Sequence, residues 1–543
     1  MKIDTHQQTI RLICILVVIT ALFAGWQLRW VCDDAFISFR YAENFASGKG
    51  LVYNEGEYVE GYTNFLWTCL LSIVSLAGGD LPFASQCFGV FFWGVFLGGL
   101  GFREKRIGLA AVLGAACCFH LRVFATSGLE TSMFLACIVW LVRMCQLGNW
   151  NMVGLLGGIS CLIRPEGGLF FLAGCLSLRI DGKWQHVFKS LSMGAIVLIP
   201  FATWKLFYYG DLLPNTFYAK AGSSNWKQGF LYVGLFFGMY WFMATGILFQ
   251  IALLKTKNRR VGILTLVLFI GLLIHVTRVG GDFMFARFCL PMIPLLLIAI
   301  DELLLHRMTD DIYLWASFAV GGFVMMSFYP NGVDKQDGTE FGISGITEER
   351  VWYPAEWQKE AKRQGEIAAA KLQDTDASVV IYGAQAMFAY YSQIPYVLEG
   401  MAGLTDADLA RKESRADRVA HGRKADQEYL WERGIDLYID FRIGELTHGK
   451  IDSFRIIDFG DGVNGVIHCY RIPLMEKLKE RGVSFQDFPA FLDQYISSIN
   501  DRPPEVVAKH LGFFQNYYFH HNEDPIRESA IRSYVSQMVN GDL

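Results

Sequence analysis

The stretch CDDAFISFRYAENFASGKGLVYNEGEYVEGYTNFLW, residues 32–67, determines how the chain is interpreted. It follows shortly after an apolar run, residues 12–25, that is suited to a membrane. Two adjacent carboxylates, Asp33 and Asp34, stand near its start, then come Arg40 and an aromatic-rich segment, and another apolar run begins at Phe65. Ionisable groups between two apolar helices indicate a polar site at a membrane surface.

The composition is that of an integral membrane protein with a more polar part. Of 543 residues, 53% are hydrophobic and only 18% are charged, whereas soluble domains carry about 25% charge. The net charge of -4 gives no support for a nucleic-acid partner. The 12 cysteines lie mostly in apolar segments and form no CxxC pair, so neither a zinc site nor a disulfide framework is indicated.

Hydropathy predicts a polytopic α-helical membrane protein with about 11 transmembrane helices, the first an uncleaved signal anchor. The candidate spans are residues 12–30, 65–79, 83–101, 107–125, 132–147, 152–163, 168–178, 190–209, 230–254, 261–276, 290–305 and 312–329. The basic runs REKR (103–106) and KTKNRR (255–260) mark the cytoplasmic side. This orientation requires that one of the spans 65–79 and 83–101 does not cross fully.

The same orientation places the polar loops on the external side of a bacterial cytoplasmic membrane. These loops carry SGLET (127–131), PNTFYAK (214–220) and GGDFMFARF (280–288). LIRPEGG (162–168) interrupts an apolar run, and it predicts two short helices that meet at an external or re-entrant turn. Residues 1–329 are thus predicted to form the membrane domain and residues 330–543 an extracytoplasmic soluble α/β domain.

Asp33 and Asp34 are the candidate catalytic residues. Two adjacent like charges repel, so one member with a raised pKa is suited to proton transfer. Binding of a divalent metal is the alternative, although the sequence requires no metal. A solvated loop start explains the pair without any function.

The other candidate residues bind substrate in our interpretation. In EGYTNFLW (60–67) aromatic and polar groups together suit a sugar, although an interfacial aromatic belt has the same composition. Arg287 is suited to a phosphate, with Asp282 orienting it; an internal salt bridge between the two is the alternative. Charges at helix ends are also expected simply because helix ends are wet. The substrate-binding candidates are Arg40, Glu60, Tyr62, Asn64, Trp67, Glu130, Arg164, Glu166, Asn215, Lys220, Asp282 and Arg287.

The motifs together resemble a known enzyme family. The segments DDAFISFRYAENFASGKGLVYNEGEYVEGYTNFLW, TSGLETSMF, IRPEG, GDLLPNTFYAKA, GGDFMFARFCLPMIPLL and GMAGLTDADLAR occur in this order between residues 31 and 411. The set resembles the mycobacterial terminal β-(1→2)-arabinofuranosyltransferases, polyprenyl-phosphate-sugar-dependent glycosyltransferases of the GT-C fold. The opening motif is long and specific, whereas RPEG alone would be weak.

The resemblance implies an inverting transfer of a sugar, arabinofuranose in that family, from a polyprenyl-phosphate donor to an extracytoplasmic hydroxyl. It implies that Asp33 or Asp34 is the base, and that Arg287, Lys220, Arg164 and Arg40 supply positive charge for the leaving phosphate. The acceptor is left open among a glycan, a lipid and a protein.

Two other classes of protein remain as alternatives. A secondary transporter of a small polar or anionic solute would also place charges in membrane cavities, but it predicts internal repeats, and none is visible. A membrane-anchored binding or sensor protein would explain the soluble domain but not the loop motifs.

Overall fold

The structure is a computed structural model, and it describes residues 5–103, 106–181, 184–220, 225–328, 330, 332–333, 342–383, 385–413, 422–440 and 452–541. These residues form two compact units. The first lies within residues 1–52 and 58–355, and the second within 53–57, 356–415 and 421–543. The predicted functional division at residues 329 and 330 remains a prediction.

The first unit is helical. Its α-helices are Thr5–Gln27, Ala35–Ala46, Phe65–Leu76, Leu81–Gly101, Leu109–Cys117, Phe119–Val123, Thr131–Leu147, Trp150–Ile163, Gly167–Ser177, Trp184–Tyr209, Asn215–Lys220, Trp226–Met239, Gly246–Leu253, Arg259–Val279, Met292–Arg307, Asp310–Met325 and Glu349–Trp352. Short 3₁₀ turns cover Leu178–Asp181, Trp241–Thr245 and Arg287–Cys289.

Among the described residues, five helical segments are long and apolar enough to cross a membrane, which supports a multi-pass membrane protein. They are His6–Gln27, Leu81–Gly101, Trp184–Tyr209, Arg259–Val279 and Arg287–Arg307. A further pair, Trp226–Met239 with Trp241–Leu253, is bent by 99°. Phe65–Leu76 has 12 residues, about 18 Å of helix, and is too short alone for a hydrocarbon core of about 30 Å. The number of 11 crossings stays a prediction.

Three segments differ from or refine the expected helices. The polar opening stretch contains a helix, Ala35–Ala46, where a loop was expected. The expected span 107–125 is interrupted at Cys118, whose backbone is extended, and the span 230–254 is interrupted at Tyr240. The two interruptions meet, because the His120 amide donates to the Tyr240 hydroxyl at 3.2 Å. The expected break at RPEG is confirmed, with helices ending at Ile163 and beginning at Gly167.

Close helix packing in the first unit depends on glycine. A Cβ at Gly157 would come within 2.2 Å of the Phe171 ring, and one at Gly194 within 2.1 Å of the same ring. Small residues of this kind allow membrane helices to approach closely, where lipid offers no hydrophobic drive for association. Phe171 thus fills the space that the two glycines leave.

The second unit is α/β, and its described strands form one sheet of order β2-β1-β3-β5-β4-β6. The strands are β1 Ser378–Ile381, β2 Tyr396–Glu399, β3 Leu437–Ile439, β4 Ile456–Gly460, β5 Val463–Ile467 and β6 Ser484–Phe485. Strands β2, β1 and β3 are parallel, whereas β5, β4 and β6 add antiparallel. The helices are Ala355–Leu372, Ala386–Tyr391, Ala407–Arg411, Gln427–Glu432, Ile472–Glu480, Phe488–Ser497, Pro504–Phe514 and Pro525–Gly541, with a π-helix at Gln515–Phe519.

The segment DGVNG, residues 461–465, predicts a hairpin from sequence, and the hairpin is present with a shorter turn than the motif. Strands β4 and β5 are joined by Asp461 and Gly462 alone, with φ of 52° and 78°. Asp-Gly with both φ values positive is the pattern of the tight type I′ turn. Residues 53–57 join this unit through the Asn54 amide, which pairs with both backbone groups of Val397 at 2.9 and 3.0 Å.

Candidate active site

The aspartate pair lies where the chain turns between the first helix and Ala35–Ala46. The Cys32 amide donates to the Ser127 carbonyl at 2.9 Å and fixes this turn on the SGLET segment. Asp33 is buried, at 3% exposure, whereas 32% of the Asp34 side chain is exposed. Asp34 also occupies the residue before the helix. The two carboxylates therefore have different access to a substrate.

Arg287 lies among three carboxylates, one of them Asp34. Its Nη1 is 3.4 Å from Asp282 Oδ2 and 4.0 Å from Asp34 Oδ2. Its Nη2 is 3.9 Å from Glu130 Oε1. A guanidinium that is fully engaged by a carboxylate approaches to about 2.7–2.9 Å. Arg287 is thus surrounded by negative charge without being tightly bonded to any of the three.

A second guanidinium, that of Arg164, shares Glu130 with Arg287. Arg164 Nη2 bonds Glu166 Oε1 at 2.9 Å, and its Nη1 is 3.6 Å from Glu130 Oε1. Burial alone would raise the pKa of Glu166, but the charge of Arg164 lowers it to about 2. The Arg164 guanidinium also lies over the Phe288 ring, 5.4 Å from its centroid. The break between the two helices at RPEG therefore places the guanidinium of Arg164 in the site.

The GGDFMFARF loop holds Arg287 through an unusual backbone. Gly281 has φ of +74°, and a Cβ there would come within 2.3 Å of the Tyr232 ring. Ala286, directly before Arg287, has φ of 67°, a conformation that disfavours residues other than glycine. The Tyr232 hydroxyl donates to the Met284 carbonyl at 2.9 Å and stabilises the loop. Backbone strain of this kind is typical of functional loops.

Glu130 is oriented by the EGYTNFLW segment. The Asn64 amide donates to Glu130 Oε2 at 3.0 Å and accepts a hydrogen bond from the Ser38 hydroxyl at 3.1 Å. The Trp67 indole donates to the Gly128 carbonyl at 3.0 Å and is fully buried. Asn64 is thus brought into the site, whereas Trp67 has no exposed face to stack on a sugar in this structure.

Glu60 and Tyr62 belong to a neighbouring buried group. Lys205 Nζ lies 2.5 Å from Glu60 Oε2, and the backbone N–H of Asn215 donates to the backbone carbonyl of Glu60 at 2.9 Å. Burial raises the pKa of Glu60 to about 7, although the charge of Lys205 acts in the opposite direction. The Tyr62 and Tyr209 hydroxyls are 3.0 Å apart. Lys205 and Tyr209 were missed in the sequence because they lie within an apolar span.

Glu349 was also missed, because it lies in the polar region that the sequence assigned to the soluble domain. The Thr347 amide donates to the Phe283 carbonyl at 2.8 Å, which brings this segment to the GGDFMFARF loop. The Thr347 hydroxyl donates to Glu349 Oε2 at 3.0 Å. Burial raises the pKa of Glu349 to about 8, and the charge of Asp34 adds to the shift. The only sequence signal was the run of ionisable residues 348–350.

The segment that carries Glu349 is fixed at two further points. His120 Nε2 lies 2.8 Å from Glu348 Oε2, and His120 Nδ1 lies 2.7 Å from the Tyr240 hydroxyl. Arg350 Nε donates to the Leu28 carbonyl at 3.1 Å, at the end of the first helix. The break at Cys118 and the bend at Tyr240 thus both support the placement of the candidate site.

Two further candidates are placed by the helices that carry them. Arg40 is buried on the helix Ala35–Ala46. Lys220 ends the helix Asn215–Lys220, but its side chain lies outside the described residues. Among the residues that the structure describes, no group of three or more His, Cys, Asp and Glu side chains is arranged to hold a metal ion.

Comparison with known sequences confirms the resemblance inferred from the motifs, although no protein-family model matches. The terminal β-(1→2)-arabinofuranosyltransferase of Mycobacterium tuberculosis is 30% identical over 245 residues, 39% of this chain and 39% of that protein. The protein of the same name from Corynebacterium glutamicum is 30% identical over 340 residues, 51% of this chain and 49% of that protein. The chain thus matches half or less of the length of these curated relatives.

A solved structure has the same fold. The crystal structure of ArnT from Cupriavidus metallidurans in the apo state superposes with a TM-score of 0.53 and 13% sequence identity. The match covers 84% of this chain and 97% of that one. The fold of this chain is therefore that of ArnT, a GT-C polytopic membrane protein.

Proposed function

We propose that the chain is an inverting membrane glycosyltransferase that moves arabinofuranose from a polyprenyl-phosphate donor to an extracytoplasmic hydroxyl. The observation that carries this proposal is the cluster of Arg287, Arg164 and Glu130 beside Asp34. It combines two cations with a partly exposed carboxylate on the segment that follows the first membrane helix. The names of the curated relatives support the sugar.

In the proposed complex, the donor phosphate binds Arg287 and Arg164. Both guanidiniums are planar and suit two-pronged contacts with phosphate oxygens. Glu130 lies at 3.9 and 3.6 Å from them, outside the range of a tight charged hydrogen bond, so a phosphate oxygen can compete for the same donors. Asp282 and Glu166 hold the two side chains in position. The site has more carboxylates than guanidiniums, and the carboxylates that are not neutralised accept hydrogen bonds from sugar hydroxyls.

Asp34 is the base in this proposal. The position of Asp33 nearer the membrane helix favours Asp33, but its 3% exposure leaves little access for an acceptor. Asp34 takes the proton of the acceptor hydroxyl while that oxygen forms its bond to the anomeric carbon. The bond from this carbon to the phosphate oxygen breaks, and polyprenyl phosphate leaves with the electron pair. One displacement inverts the anomeric centre without a covalent enzyme intermediate.

Glu349 remains protonated at neutral pH in this proposal, because its pKa is about 8. A neutral carboxyl beside Asp34 limits the local negative charge and can donate a hydrogen bond to a substrate oxygen. Its part is to position groups, since a residue that already holds a proton is a poor base.

The direct test uses the full chain in lipid nanodiscs with synthetic polyprenyl-phosphate arabinofuranose. Matched donors that carry other pentoses or a hexose, and glycan, lipid and peptide acceptors, are compared by mass spectrometry of the products. We expect pentose addition from the arabinofuranose donor, and an anomeric configuration opposite to that of the donor. Transfer with retention would overturn the mechanism, and no transfer from any donor would overturn the function.

The proposed orientation has its own test. The active site and the second unit are extracytoplasmic in our proposal, in a bacterial cytoplasmic membrane. A periplasmic reporter fused at Leu543 should be active, whereas the same reporter inserted at Lys257 should be silent. The reverse pattern would move every candidate residue to the cytoplasmic side.

A secondary transporter is the second candidate, favoured by one observation. The pair Trp226–Met239 and Trp241–Leu253 is bent by 99°, and interrupted helices are a feature of transporter binding sites. Proteoliposomes distinguish the two functions, because a transporter would accumulate free pentose or pentose phosphate without forming a glycosidic product.

A further inference from the structure

A groove runs along the first helix, Thr5–Gln27, and the helix Leu81–Gly101, and it encloses about 460 Å³. The helices are antiparallel, since Leu22 packs on Gly94 and Cys14 on Gly101. The close approach at Gly101 forms the floor of the groove. The walls are mostly apolar side chains, and among them Ile15 and Ile19 are 56% and 58% exposed. An elongated apolar ligand would cover these surfaces.

Three arginines, Arg11, Arg103 and Arg106, also line the groove. Arg103 and Arg106 are held by ion pairs with Asp301 and Asp310, so their positions are fixed. Arg11 is exposed and has no ion pair with any of the described residues. The described lining contains no carboxylate, but Asp301, Glu302 and Asp310 balance the charges of Arg103 and Arg106. In the described lining, Arg11 is therefore the cation that the groove offers next to an apolar surface.

The groove is distinct from the candidate active site. Arg11 and Gln27 are separated by 16 residues of one helix, about 24 Å at 1.5 Å per residue. The aspartate pair follows the Gln27 end, whereas the arginines are at the other end. In the proposed orientation, the arginines face the cytoplasmic leaflet, where anionic lipids attract basic residues near the surface.

We propose that this groove binds an anionic phospholipid as a structural ligand. Its phosphate contacts Arg11, the exposed cation of the groove, and one acyl chain runs past Ile15 and Ile19. Charge complementarity argues for this occupant, because Arg11 has no ion-pair partner among the described residues, whereas the phosphate of a zwitterionic lipid is already balanced by the cationic group of its own headgroup. The bound lipid would join the first helix to Leu81–Gly101 at the end opposite the active site.

The test uses purified full-length protein in detergent, with phosphatidylglycerol and phosphatidylethanolamine of identical acyl chains as probes. Native mass spectrometry counts the lipids that stay bound, and thermal unfolding measures stabilisation. A polyprenyl phosphate is the third probe, because it shares the phosphate and the apolar chain. We expect phosphatidylglycerol to bind at the lowest concentration and to raise the unfolding temperature most.

Two variants test the groove in independent ways. Arg11→Gln removes the exposed cation, and we expect affinity for phosphatidylglycerol to fall about fivefold. Gly98→Leu fills the groove, since a Cβ at Gly98 meets no atom within 4 Å. Lys257→Gln and Gly234→Leu are the matched controls, a basic residue and an equally open helical glycine outside the groove.

The outcomes separate the possible occupants. Reduced phosphatidylglycerol binding by both groove variants but neither control would support the proposal. Equal binding of the two phospholipids, or binding unchanged in both groove variants, would overturn it. Preferential binding of the polyprenyl phosphate to this groove would also overturn the proposal, because the groove would then bind the lipid of the sugar donor or the polyprenyl phosphate that the reaction releases. None of these outcomes depends on transferase activity, so the result is independent of the proposed function.

Discussion

Two half-buried arginines in the first unit, Arg103 and Arg287, are surrounded by carboxylates in different ways. Arg103 contacts two, with Nη2 only 2.6 Å from Asp301 Oδ2 and Nη1 bonded to Glu302. Each of these carboxylates also has a second close donor, because the Tyr313 hydroxyl donates to Asp301 at 2.7 Å and the Gln146 amide to Glu302 at 2.6 Å. This network is closed, and nothing further is needed to satisfy its charges.

Arg287 has more carboxylates around it but holds each of them more loosely, at 3.4 to 4.0 Å. One of these partners, Asp34, is partly exposed. In both arginines the Nε atom lacks a hydrogen-bond partner in the described structure, so that feature does not separate them. Burial and charge alone therefore do not indicate a functional site. An arginine with long carboxylate contacts next to a partly exposed carboxylate does.

Asp34→Asn should have the largest effect. Asparagine keeps the shape but cannot accept a proton, and loss of a positioned base lowers the rate by about 10²–10⁴-fold. Single-turnover transfer from a polyprenyl-phosphate sugar measures the loss, and donor binding should change little. Asp33→Asn is the matched control and should retain more activity. Near-normal transfer by the Asp34 variant would remove Asp34 as the base.

Arg103→Gln should have the next largest effect, on stability and not on chemistry. It leaves Asp301 and Glu302 buried without their cation, and breaking a buried pair in this way is destabilising by about 3–5 kcal/mol. Denaturant titration in mixed micelles measures the loss. Arg287→Gln should be less destabilising because its contacts are looser. Equal losses for both variants would remove the distinction between closed and open networks.

Arg287→Lys should have an intermediate effect on donor use. The charge remains, but the planar geometry for phosphate is lost. A hydrogen bond to a charged group contributes about 1.5–3 kcal/mol, so the donor concentration for half-maximal rate should rise about 10–100-fold. Steady-state kinetics with varied donor measures it. An unchanged donor dependence would make Arg287 structural, like Arg103.

Glu349→Gln should have the smallest effect on transfer at neutral pH, and its signature is a change in the pH dependence of stability. The pKa of Glu349 is about 8 in the folded protein against 4.5 for the reference group, so folding favours the protonated form. Its contribution to stability is fully present below pH 4.5 and is lost as the pH rises through about 8. Between these values the wild type should lose about 1.4 kcal/mol of stability per pH unit.

The Gln variant cannot titrate at this position and should therefore show a flatter stability profile between pH 5 and pH 8. Thermal unfolding measured at several pH values in one detergent tests this directly. Parallel profiles for variant and wild type would mean that Glu349 titrates as an ordinary exposed carboxyl and has no special place beside Asp34.

Much of the fold was predictable because it follows from local patterns. Apolar runs located the long helices, and Pro165 between two charges located the break between Ile163 and Gly167. The strands β1 and β3 and the hairpin of β4 and β5 lie on apolar runs and an Asp-Gly turn, which are local signals in the sequence. Asp282 and Arg287 were found together because they are five residues apart in one loop.

The rest depended on contacts between distant parts of the chain. Glu349 reaches the site only because Thr347 pairs with Phe283, 64 residues earlier. Lys205 gave no signal in an apolar helix, since its partner Glu60 is 145 residues away in the sequence. The bend at Tyr240 arises where its hydroxyl meets His120. No local pattern could have predicted these contacts.

The attachment of the segment 347–350 has a consequence for biosynthesis. The last described apolar helix of the first unit ends at Met325, so a growing chain can insert all of these helices before Thr347 has been made. Such a chain lacks the pairing with Phe283, the contact of Glu348 with His120 and the hydrogen bond of Arg350 to Leu28. Membrane insertion and completion of the candidate site are therefore separate steps, and synthesis halted near Met325 would leave an inserted protein with an unfinished site.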